Sequence, residues 1–179
     1  MKGQISDLYD QMTGEQSGLE KLLNKIPGLS GYMEKGRRRG ADELLRQTVS
    51  RRLEEARLQL GAVSQELGRD IMKAIDHAES LGRVDTRLMG LIGKIKDAPQ
   101  GYAGFFDSVK VKEDDLARIY AFDETMVNHA DEIAAGAAAL EKAVQDDGDV
   151  GGGIRHLDDL VREANTQFSS RDEVIKGIS

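Results

Sequence analysis

Three histidines, His77, His129 and His156, supply all the imidazole in the chain, and each has a carboxylate close by in sequence. A di-metal bundle centre needs Glu-x-x-His on two helices and a further Glu from each of two others, all projecting inward. Here Glu124 and His129 are five positions apart, and His129 and Glu132 run in the reverse order. Neither Asp76–His77 nor His156–Asp159 repeats the motif. These spacings predict helix-surface or partly buried histidines, not ligands. Asp147, Asp149 and Asp158 fall at positions 1, 3 and 12 of a calcium loop, with Gly152 at position 6. Gly151 and Gly153 occupy positions 5 and 7, and the closing residue is Asp where a bidentate Glu normally binds. A solvated acidic turn accounts for the same letters. The glycines at 148 and 151–153 follow no strand and lead to no Gly-Lys-Ser/Thr, so they form no phosphate cradle. No Gly-x-Ser-x-Gly elbow occurs, and the absence of Cys excludes thiolate metal sites and thiol nucleophiles. No enzymatic activity, metal or cofactor is expected.

Charge distribution says more than these motifs. From Lys21 to Arg57 there are ten Lys/Arg against five acids, and from Glu113 to Asp149 eleven acids against Arg118 and Lys142. Complementary helix surfaces, within one chain or between copies, explain this most simply. A sharper reading puts the cluster Lys35, Arg37, Arg38 and Arg39 on phosphate, at an anionic membrane surface or on nucleic acid. The net charge of −7 argues against nucleic acid, since non-specific binders are usually basic.

Two further segments interleave glycine with aromatics: 27–33, containing Tyr32, and 100–106, containing Tyr102, Phe105 and Phe106. They read either as an aromatic plug at the end of a bundle or as a partner-binding tip.

The elements that must carry these residues are helical throughout. Leu45, Val49, Leu53, Ala56, Leu60, Val63, Leu67, Ile71, Ala74, Ala78 and Leu81 follow an eleven-residue repeat. That period suits a long, weakly supercoiled helix over about 36–81, with a break at Gly68 as the alternative. Gly82 then reads as a stop, with Asp85 or Thr86 capping a helix over 86–97. A helix over 112–145 carries the seam Leu116, Ile119, Met126, Ala130, Ile133, Ala137, Leu140 and Val144. Its run Ile133–Leu140 is rich in alanine and glycine, which lets a neighbour approach closely. Residues 146–153 read as a flexible Gly/Asp linker. A helix over 154–178 has the heptad Ile154, Leu157, Val161, Ala164, Phe168, Arg171, Ile175 and Ile178, broken only by Arg171. A short helix over 5–26 includes Leu19, Leu22, Leu23 and Ile26, with the capping box Ser17–Glu20.

Two prolines and 4% aromatics argue against a sheet-rich fold. Nowhere do 18 apolar residues run together, and the amino end shows no secretory h-region. The expectation is a single all-α domain: an elongated antiparallel helical bundle or coiled coil of about four to five helices. It would be a cytoplasmic interaction or scaffold protein that binds a protein partner or a second copy of itself. A peripheral membrane adaptor is the alternative.

Overall fold

The computed structural model describes residues 21–29, 38–98, 113–171 and 173, and their side chains over 21–29, 42–98, 118–171 and 173. The protein is an all-α helical bundle, with no strand among the described residues. Its helices are α1 (Arg38–Leu67), α2 (Ile71–Asp97), α3 (Glu113–Gln145) and α4 (Val150–Ser169). Residues 21–25 are also helical. Two compact units result. The first comprises Met1–Leu45, Pro99–Val127 and Arg171–Ser179, and the second Arg46–Ala98 and Asn128–Ser170.

In the first unit, Leu22, Ile26, Leu29, Leu45, Ile119, Phe122, Met126 and Val127 are buried. Gly28 takes φ +91°, a left-handed conformation that turns the chain after Ile26 at no steric cost. Lys21 lies 3.3 Å from Glu124. Arg171, the one polar member of the expected heptad, is buried here and places its Nη2 3.3 Å from Oδ1 of Asp42. α4 itself ends at Ser169, and Ser170 donates its amide to the carbonyls of Gln167 and Phe168. Ile175 and Ile178 of the expected 154–178 helix lie outside the described residues, as do residues 5–20 of the amino-terminal helix.

In the second unit the stripe on α1 is buried from Val49 to Leu67, as its spacing predicts. The single long helix over 36–81 is not what forms. α1 stops at Leu67, and the amides of Gly68, Arg69 and Asp70 close the end on the carbonyls of Ser64, Glu66 and Leu67. Asp70 then caps α2, its carboxylate accepting from the amides of Met72 (2.9 Å) and Lys73 (3.3 Å). The chain reverses, and Arg57 is held by both oxygens of Asp85, at 2.7 and 3.0 Å. Arg46 donates to the carbonyl of Ala98 at the far end of α2, at 3.1 Å.

α2 runs unbroken through Gly82, so neither the expected stop there nor a new start at 85–86 occurs. Burial of Leu81, Val84, Leu88, Leu91, Ile92 and Ile95 along one face outweighs the roughly 1 kcal/mol a helical glycine costs. That face packs along α4, which buries Val150, Ile154, Leu157, Val161 and Ala164. α3 spans the expected 112–145 almost to the residue, and its seam from Ile119 to Val144 is buried. A Cβ added at Gly136 would stand 3.1 and 3.2 Å from methyls of Leu160 and Leu157, so the small-residue run does admit α4 closely.

The flexible linker over 146–153 shrinks to four residues, because α4 begins at Val150. Asp149 caps it by accepting from Gly152 at 2.8 Å, and a Cβ on Gly152 would collide with that carboxylate at 2.2 Å. A Cβ on Gly153 would meet Leu140 at 3.0 Å. These glycines serve a cap and a close helix contact.

Asp147, at φ +53°, makes the turn and pairs with Lys73. The Lys73 ammonium hydrogen-bonds the Asp147 carboxylate and lowers its pKa from the ordinary 3.8, while Lys73 is raised in turn. A depressed carboxylate contributes stability that is present above its unfolded pKa and is lost as pH falls through its folded one. Asp147→Asn, which keeps a residue tolerant of this φ, should therefore melt slightly below the parent at neutral pH. The two melting temperatures should converge once pH drops below 3.8, in thermal melts followed by circular dichroism across an acid titration.

Candidate interaction surface

Several carboxylates that invited metal readings are engaged by other groups. Of the three calcium-loop positions, Asp147 pairs with Lys73, Asp149 caps α4 and Asp158 is held by Arg87. Glu124 faces Lys21. Among the described residues no three potential ligands converge. His129 is buried on α3, with Nδ1 3.4 Å from Glu132. Nδ1 makes no hydrogen bond.

Tyr32, Tyr102, Phe105, Phe106, Lys35 and Arg37 lie outside the described residues. Arg38 and Arg39 open α1 as backbone, with their side chains outside the described set.

What the structure does show is an apolar surface on the α1–α2 hairpin of the second unit. Leu58 and Ile71 are 76% exposed and Ile75 70%, with Met72 and Met89 exposed by half or more. Ile71 and Ala78, which the eleven-residue repeat assigns to the core, thus face solvent. Positions 71, 75, 78, 82 and 89 recur at helical spacing and form a second stripe on α2, turned away from Leu81, Val84, Leu88 and Leu91. Between α1 and α2 lies an open groove of about 930 Å³, where Leu58, Gly61, Ala62, Ala78 and Gly82 over Leu60 and Leu81 share the lining with Glu54, Arg57, Ser64, Gln65 and Asp85. A Cβ at Gly61 or Gly82 would meet nothing within 4 Å, so the groove floor is open above both.

Three ion pairs border this surface. Arg57 is bonded to Asp85, Arg83 to Glu79 and Arg69 to Glu66. The Asp85 hydrogen bond raises the Arg57 pKa above its ordinary value, keeping this cation charged at the edge of the groove. A helix with apolar residues on two faces requires burial on both, and one of α2's faces has no cover among the described residues. None of the described helices is long and apolar enough to cross a membrane.

No protein-family model matches the chain, and no curated protein or solved structure matches it.

Proposed function

We propose that this chain is a non-enzymatic helical interaction or scaffold protein that assembles through apolar helix faces and associates with itself. The observation that carries this reading is the exposure of Ile71, Ile75 and Met89 along one stripe of α2, with Leu58 exposed across the groove on α1. Single exposed apolar residues are ordinary, whereas contiguous ones rimmed by polar groups mark places where another surface binds. Apolar association of this kind resists salt, while docking of Lys35 and Arg37–Arg39 on anionic phosphate weakens as salt rises.

Light scattering coupled to size exclusion, run at low and at high salt beside flotation with anionic vesicles, tests the reading. The expected result is an assembly heavier than one 19.6-kDa chain, unchanged by salt and absent from the vesicle fraction. A monomer that floats with vesicles at low salt and is released at high salt would overturn it and favour the membrane adaptor.

A further inference from the structure

We infer that the outer stripe of α2 is the docking face for a second copy of this chain, met face to face about a two-fold axis near Gly82. The inference rests on the interaction reading above and names its partner and its surface.

Shape points to a like partner. Gly82 is the low point of the stripe, and Ile75 and Met89 lie seven residues to either side of it. In an antiparallel crossing centred on Gly82, Ile75 of one copy therefore stands beside Met89 of the other. Small residues at the centre let the two helix backbones approach, and large ones close both ends. An isologous contact requires this kind of self-complementarity, with the same patch serving as both halves.

Charge points the same way. A partner selected by its charge needs a field to answer, and the cations along this rim are already matched by Asp85, Glu79 and Glu66. A paired rim also keeps like charges of the two copies, each carrying −7 overall, from meeting at this face. Area is compatible with this. Ile71, Ile75 and Met89 on the stripe, with Leu58 across the groove, present roughly 400 Å² of apolar surface at about 100 Å² each. The groove floor and the ion-paired rim supply the remainder toward the about 800 Å² per partner of a stable interface.

Because the chain contains no Cys, a single introduced thiol can form a disulfide only between copies. The full-length Gly82→Cys variant, oxidised with copper phenanthroline, should form a covalent dimer at least about tenfold faster than Arg162→Cys on the exposed side of α4. Ile75→Glu, at a position already exposed, should weaken the dimer at least about tenfold in sedimentation equilibrium while leaving the circular dichroism spectrum unchanged. A salt-resistant dimer that survives Ile75→Glu and fails to cross-link through position 82 would overturn this docking face alone. A parent chain that is monomeric at every concentration would overturn both this inference and the self-association on which it rests.

Discussion

Replacing Asp42 with alanine is expected to cost about 3–5 kcal/mol of stability, because it takes the facing carboxylate away from a buried guanidinium. Asp42 and Arg171 are side chains only 4–5% exposed, and Nη2 of one stands 3.3 Å from Oδ1 of the other. Two charges withdrawn from water repay their desolvation only while each has its partner. Arg171→Met should destabilise as well: methionine restores an apolar heptad position, but it leaves beside it a carboxylate that is just as buried. The double variant Asp42→Leu/Arg171→Met should recover most of the loss, as buried ion pairs exchanged for apolar residues of similar volume often do. Urea denaturation of the three variants completes the cycle. If Asp42→Ala proved as stable as the parent, the pair would not be a buried charge pair in solution.

Leu88→Ala is expected to cost about 2–5 kcal/mol, through lost transfer energy and the cavity left at a fully buried site between α2 and α4. Ile75→Ala, one helix face away, removes a similar hydrocarbon from a position 70% exposed. In dilute solution it should change stability by less than about 0.5 kcal/mol. The contrast identifies which apolar face of α2 is core, and its concentration dependence reveals docking. At high protein concentration the Ile75→Ala melt should fall below that of the parent, because ligation of the native state by a second copy is lost. Equal losses from the two substitutions in dilute solution would mean that both faces are internal.

Spacing alone reveals the helical class, the α1 stripe from Leu45 to Leu67, the limits of α3 and the close approach at Gly136. The misreading between Gly68 and Gly82 has a specific cause. Ile71 and Ala78 continue the eleven-residue period by coincidence, although the chain has reversed in between. Periodicity reports that a face is apolar and not whether it points inward. The cap that announces the reversal was legible, since Asp70 directly precedes an apolar run. Gly82 misleads in the opposite direction, because a residue that favours stops was outvoted by six buried side chains on the same helix. The docking stripe was also present in the letters, as Ile71, Ile75, Ala78, Gly82 and Met89 beside Leu81, Val84, Leu88 and Leu91. Choosing between the two required knowing where α4 lies. The aromatic segments and the arginine cluster rest on letters outside the described side chains.

The first turn of α4 has a consequence for how the second unit opens. Gly151, Gly152 and Gly153 each hold helical geometry about 1 kcal/mol less willingly than alanine would. Asp149 and the buried Val150 and Ile154 keep the turn wound. In deuterium exchange the amides of this turn should label well before those of Leu157–Ala164, as a local opening whose free energy lies far below that of global unfolding. The glycines that let Leu140 and the capping carboxylate sit close thereby make this corner the place from which α4 peels away.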